Sequence, residues 1–198
     1  MTERIYIFKR FERLWHWSQA ALIIFLMITA LDLHGTMTIF GFADAVIYHR
    51  AAAWTLVGLW VFAIFWHLTT GEWRQYVPTT TNVIAMVRYY LSGIFKNAPH
   101  PHRQTQLQKH NPLQRLAYLF ILAFVGPLLW TTGWLLLFYA SLGDWGLGWL
   151  PLEWIAVGHT IGAFFMLIFL IAHIYLITAG ATPSSHLKAM ITGWEEVH

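Results

Sequence analysis

Residues 154–177 read WIAVGHTIGAFFMLIFLIAHIYLI, twenty-four residues without an Asp, Glu, Lys or Arg. A run of that length and polarity crosses a bilayer as one α-helix, because ~20 apolar residues at a rise of 1.5 Å each match a hydrocarbon core of roughly 30 Å. His159 and His173 interrupt it, fourteen residues apart. At about 100° per residue, fourteen steps end about 40° short of four full turns, so both imidazoles leave the same face, about 21 Å apart along the axis. Ionisable side chains inside a membrane helix are costly, face protein rather than lipid, and mark function.

Working outward, three more apolar runs precede this one, giving four in all: Leu14–Leu33, Tyr48–Thr69, Gln114–Ala140 and Glu153–Thr178. The whole chain of 198 residues is 58% apolar, 17% aromatic and only 11% charged, a membrane composition. Lipid cannot satisfy open backbone groups, so the spans are helices. The expected fold is an all-α membrane protein, a four-helix bundle forming one domain over residues 1–198. No internal repeat or low-complexity tract shows. The first run carries His16 and lacks a small-residue cleavage site, so it reads as a span rather than a signal peptide.

Lys and Arg set the orientation. Eleven fall before the first run, between the second and third, or after the fourth, against Arg50 alone on the other side. Both termini and the long middle segment are therefore expected in the cytoplasm, and the chain in the bacterial inner membrane. The net charge of +3 is spent on topology, and nucleic acid is not an expected partner. Within the middle segment, NVIAMVRYYLSGIF places Val83, Ile84, Val87, Leu91 and Ile94 at helical spacing, an expected amphipathic helix on the cytoplasmic interface. Gly126, Pro127 and Gly133 predict a kink or close packing in the third span.

The histidines suggest the chemistry. With the termini inside, His159 lies near the outer surface and His173 near the inner one. His49, opening the second span, can face His159; His16, opening the first, can face His173. Two imidazoles at each of two depths suit two haems stacked across the membrane, each with paired axial ligands and no open position, which favours electron transfer. The chain has no cysteine. That excludes iron–sulfur clusters held by this chain and covalent c-type attachment, so any haem here is held without covalent bonds to the protein; two haems b are expected. His67, at the inner end of the second span, is a possible alternative ligand, and His34, at the outer end of the first, a weaker one. His100, His102 and His110 fall in a loop and are expected to be solvated. Gly58 and Gly162 either admit a flat macrocycle or pack helices tightly. Arg50, directly after His49, either pairs with a haem propionate or snorkels to the interface.

Several motifs carry a resemblance: Arg13-Leu14-Trp15-His16-Trp17, Tyr48-His49, His159-Thr160-Ile161-Gly162 and Ala172-His173-Ile174-Tyr175, in that order across nearly the whole chain. The set resembles the dihaem cytochrome b (gamma) subunit of respiratory formate dehydrogenases. It is also similar to the related four-helix cytochromes b of nickel–iron hydrogenases and thiosulfate reductases. His110-Asn111-Pro112-Leu113-Gln114-Arg115 is similar to an Asn-x-x-Gln run that in those subunits opens the third helix and lines a quinone pocket beside the inner haem. Leu113 stands where the family has glycine, which bears on pocket shape and on whether menaquinone or ubiquinone is taken. The resemblance thus implies quinone contacts from Asn111, Gln114 and His110. Asn111 as a helix cap with Gln114 facing water is the plain alternative. It also implies an iron–sulfur subunit and a separate catalytic subunit as partners, with formate, hydrogen or sulfur chemistry outside this chain. Two other function classes stay open: a stand-alone cytochrome b reducing quinone from a small diffusible donor such as superoxide, and a haem-free transporter or structural membrane protein.

Overall fold

The computed structural model describes residues 3–96, 98–99, 101–102, 105–106, 108–178 and 182–197. His100 and Arg103 lie outside the described residues. In chain order the elements are β1 (Glu3–Tyr6), α1 (Arg10–Leu33), α2 (Phe42–Thr70), α3 (Val83–Arg88), α4 (Pro112–Phe120), α5 (Gly126–Leu137), α6 (Leu152–Ile177), α7 (Ser185–Thr192) and β2 (Trp194–Val197). A π-helical turn, Ile121–Val125, joins α4 to α5, so Pro112–Leu137 is one continuous helical run. With α1, α2 and α6 it makes four helices long and apolar enough to cross a membrane. The chain divides into two compact units: Met1–Arg74 with Leu187–His198, and Gln75–His186.

The first unit is a helical hairpin. α1 and α2 run antiparallel: Phe11 meets Phe62 and Trp66 at ring-centroid distances of 5.5 and 4.6 Å at one end, and Thr29 meets His49 at the other. At the end where the two helices are joined, the Asp32 carboxylate accepts the backbone N–H groups of Ile39 and Phe40, at 2.9 and 2.7 Å. Both its oxygens are satisfied, which is how a carboxylate tolerates near-complete burial. α2 begins at Phe42, earlier than the sequence suggests, so His49 is its eighth residue rather than its first. Phe42-Ala-Asp-Ala extends the helix outward because nothing in it breaks the pattern, and polarity alone does not mark the boundary.

At the open end, the Glu12 carboxylate accepts the Lys9 backbone N–H at 2.7 Å and closes the first turn of α1. Lys9 Nζ reaches Glu72 at 2.6 Å, just past Gly71, whose φ of +76° ends α2 in the left-handed cap that glycine adopts without penalty. β1 and β2 pair antiparallel, Tyr6 opposite Trp194. Arg13 Nη1 donates to the Ile191 carbonyl, and Trp17 Nε1 to that of Met190 at 3.1 Å. The two ends of the described chain are thereby tied to the start of α1.

The second unit is also a hairpin. α5 packs antiparallel on α6, with Gly162 against Leu129 and Thr132 against His159. Where a kink or close packing is expected, the helix takes a π turn just before Gly126-Pro127. Proline lacks an N–H and its ring crowds the carbonyl four residues back, and the wider turn relieves both. A Cβ on Gly126 would stand 3.1 Å from the Ile121 carbonyl oxygen, so glycine keeps that approach clear at the end of the π turn. The expected interfacial segment is helical but broken: α3, then a π turn over Tyr89–Gly93 and a short 3₁₀ turn over Ile94–Lys96. Met86 is its fully buried residue, whereas Ile84, Leu91 and Phe95 are exposed. One apolar face is thus left uncovered by the chain.

Candidate functional site

In each unit a histidine sits at the joined end of the hairpin. His49 is the eighth residue of α2 counting from Phe42, and His159 the eighth of α6 counting from Leu152. Each is held by a threonine from the antiparallel neighbour. His49 Nδ1 lies 2.8 Å from Thr29 Oγ1, and His159 Nδ1 lies 3.0 Å from Thr132 Oγ1. Each threonine hydroxyl also lies within donating distance of carbonyls one turn back: Phe25 and Leu26 for Thr29, at 3.1 and 3.0 Å, and Leu128 for Thr132, at 2.6 Å. Where the single hydroxyl proton goes to a carbonyl, the oxygen accepts Nδ1–H. The neutral imidazole then carries its lone pair on Nε2, the arrangement of a metal-ligating histidine.

The open ends differ. In the first unit His16, on α1, packs edge-on against Trp17 at 5.2 Å. His67, on α2, is buried, lies 5.0 Å from Trp15, and donates Nδ1–H to the Ala63 carbonyl at 2.7 Å. Its Nε2 therefore carries the lone pair too. His49 and His67 are eighteen residues apart, five full turns, so they share a face. In the second unit His173 stacks on Phe169, ring centroids 5.8 Å apart and planes 13° from parallel. His34 is exposed and caps the end of α1. Arg50 is exposed and makes no ion pair among the described residues.

The glycines separate into two kinds. A Cβ on Gly162 would meet Leu129 at 2.9 Å, and one on Gly133 would meet His159 Cε1 at 3.3 Å. A Cβ on Gly58 would meet nothing within 4 Å, and nine residues place it half a turn round from His49. Gly162 thus serves helix packing, and Gly133 makes room for the His159 ring.

Asn111 and Gln114 bond to each other. The Asn111 carbonyl oxygen accepts the Gln114 backbone N–H, and the Gln114 carbonyl oxygen accepts the Asn111 backbone N–H, both at 2.9 Å. This capping box starts α4. Asn111 Nδ2 donates to the Tyr90 hydroxyl at 3.0 Å. Burial pushes Tyr90 up to about 12, partly offset by that hydrogen bond. Arg115 donates from Nε to the His110 carbonyl at 3.1 Å. His110, His102, Arg115, Thr79, Thr81 and Asn82 line much of a cavity of about 250 Å³ beside the cap. His102 and His110 are thus partly buried in this wall. From the cavity a row of rings runs inward: His110 to Tyr118 at 5.0 Å, Tyr118 to Phe169 at 6.3 Å, and Phe169 to His173.

The family model described as prokaryotic cytochrome b561 matches residues 7–193. The chain belongs to that family. Membership implies haem b. The donor set fits it: imidazoles whose Nδ1 is held by a threonine hydroxyl, a glycine clearing one ring, and no thiolate to compete. The chain is 31% identical to the putative cytochrome YdhU of Escherichia coli (strain K12), over 97% of this chain and 75% of that protein. It is 30% identical to a probable Ni/Fe-hydrogenase B-type cytochrome subunit of Cupriavidus necator, over 86% of this chain and 77% of that one. No solved structure gives a significant match. Sequence reading of this cytochrome b missed Thr29 and Thr132, and read Gly133 as a kink or close-packing residue without linking it to His159. The available signal was a threonine about one turn from the end of the first helix of each hairpin, which is common in membrane helices and points nowhere alone.

Proposed function

We propose that the chain is the membrane-anchoring, dihaem electron-transfer subunit of a respiratory complex, passing electrons between an iron–sulfur partner and the quinone pool. Both termini and α3 lie on the cytoplasmic side, the orientation that the distribution of Lys and Arg supports. His49 and His159 hold the outer haem, His16 and His173 the inner one, and Arg50 faces a propionate of the outer haem. When bound, haem supplies one-electron iron chemistry with no vacant coordination position. The observation that carries this reading is the matched pair of anchored imidazoles, each at the same position in its hairpin with Nδ1 against a threonine hydroxyl.

The quinone head group is assigned to the cavity beside the α4 cap. Asn111 and Gln114 are not among the lining residues; their capping box starts α4 and so sets Pro112 and Arg115 in the wall. Gln114 Nε2 makes no hydrogen bond among the described residues and is offered as a donor at the edge of the site. His110 relays protons from the cytoplasm, and the ring row from His110 to His173 spans the gap to the inner haem. The hydrogenase cytochrome relative supports a catalytic partner complex; the motif set favours one of the formate dehydrogenase type.

Two measurements test this. A pyridine haemochrome assay should give two haems per chain, and purification under mild detergent should retain an iron–sulfur subunit. Replacing Gln114 with Leu should impair quinone reduction while both haems stay reducible by the donor. A haem-loaded chain that purifies alone and reduces quinone with superoxide would favour the stand-alone reading.

A further inference from the structure

We propose that Thr29 and Thr132 are the positioning residues of the outer haem site, each fixing the tautomer and ring plane of the imidazole opposite it. The inference rests on the haem reading above. The same contact is built twice, in separate hairpins, on helices whose sequences around the threonine, LMITALD and LWTTGWL, share little. Both threonines are buried, Thr29 completely and Thr132 at 8% exposure. A threonine in a helix satisfies its own hydroxyl by donating to the carbonyl one turn back, so it does not need the histidine. The histidine needs the threonine: an Nδ1–H buried among apolar side chains without an acceptor is strongly disfavoured. The hydroxyl therefore chooses which ring nitrogen is protonated and leaves Nε2 as the donor atom.

The two sites differ in how the ring is hemmed in. Thr132 is followed by Gly133, whose missing side chain leaves 3.3 Å between a notional Cβ and His159 Cε1. The His159 ring is thus gripped at Nδ1 and given clearance beside it, so its plane is set by the threonine rather than by steric pressure. A hydroxyl accepting from Nδ1–H also adds electron density to the ring, which favours the ferric state and lowers the midpoint potential.

The test uses the full haem-loaded chain with Thr29→Val, Thr132→Val and the corresponding serine variants. Each valine keeps the volume and removes the acceptor. Loss of a partner of this kind lowers metal-centre affinity about ten- to a hundredfold, so each valine variant should release the outer haem more readily. In the fraction retained, its midpoint potential should rise and the low-spin ferric EPR signal should shift, because its anisotropy follows the mutual angle of the two imidazole planes. The inner haem should be unchanged, and serine should restore the outer one. Proton–nitrogen NMR of the wild-type ferrous protein adds a readout that needs no variant: both imidazoles should show a protonated Nδ1. Valine variants with wild-type potential and EPR, or an Nδ1 without a proton, overturn the threonine assignment alone. A chain that binds no haem overturns both readings.

Discussion

The two hairpins are alike at their joined ends and unlike at their open ends. At the joined ends each presents a histidine eight residues into its second helix, clasped by a threonine of its first. At the open ends one hairpin is closed by charge and strands, Lys9 to Glu72 and β1 to β2. The other is closed by neutral groups, the Asn111–Gln114 box and Tyr90. The first offers His16 and His67 from two helices; the second offers His173 from α6, with His110 beside the cap. Where two hairpins face one task, their chemistry repeats. Where one fastens the chain and the other lines a cavity, it does not.

The largest effects should come from the histidines. Changing His49 or His159 to Ala should leave one haem per chain by haemochrome assay, and the same haem should be lost in both. If His34→Ala loses a haem while His49→Ala does not, the likeness of the joined ends carries no functional meaning. At the open ends, His16→Ala should cost the inner haem and His67→Ala should not; the reverse result would move the ligand from α1 to α2.

Next come the glycines, where the hairpins should respond with opposite sign. Gly162→Ala forces a methyl against Leu129 and should destabilise by about 1–3 kcal/mol. Gly58→Ala meets nothing and should stabilise by up to about 1 kcal/mol, the usual gain of replacing glycine in a helix. Thermal unfolding in detergent, followed by circular dichroism, measures both. Asn111→Ala should lower stability by about 1 kcal/mol through loss of the cap, and Asn111→Ser should recover most of it.

The smallest effect concerns the open ends at alkaline pH. Tyr90 titrates at about 12 in the folded chain, against an ordinary 10.0. Above pH 10 the unfolded chain therefore loses this proton first, and stability falls as pH rises toward 12. Lys9, raised above 10.5 by its hydrogen bond to Glu72, acts in the same direction: its contribution is complete below 10.5 and is lost as pH rises through the folded value. Tyr90→Phe should remove the first dependence and leave the second. An unchanged alkaline profile would deny that the buried phenol distinguishes the second hairpin.

The sequence carries the long elements clearly because apolar length has one reading in a membrane. All four spans appear where the apolar runs lie, and the matched ends of α6 differ from the expected run by a single residue. The start of α2 was not legible, since Phe42 to Ile47 reads equally as a membrane-surface loop or as helix. Asn111 and Gln114 show the same limit. Their spacing predicts both a capping box and a ligand pair, and only coordinates reveal the reciprocal bonds that occupy their carbonyl oxygens. The threonines were invisible because their role comes from the opposite helix, and a contact across a hairpin leaves no periodic trace in either strand of sequence.

The π turn at Ile121–Val125 has a consequence for inheritance of form. A π turn is one residue too many for an α-helix, so the third span behaves as two rods joined with an adjustable phase. The upper rod, α5, is locked to α6 through Leu129 and Thr132; the lower, α4, is locked to its cap. Deleting one residue from 121–125 should restore a straight helix, leave Thr132 facing His159, and turn Tyr118 by about 100° out of the row between His110 and Phe169. Changes at the α4 end of this helix can therefore accumulate without disturbing the end that holds His159.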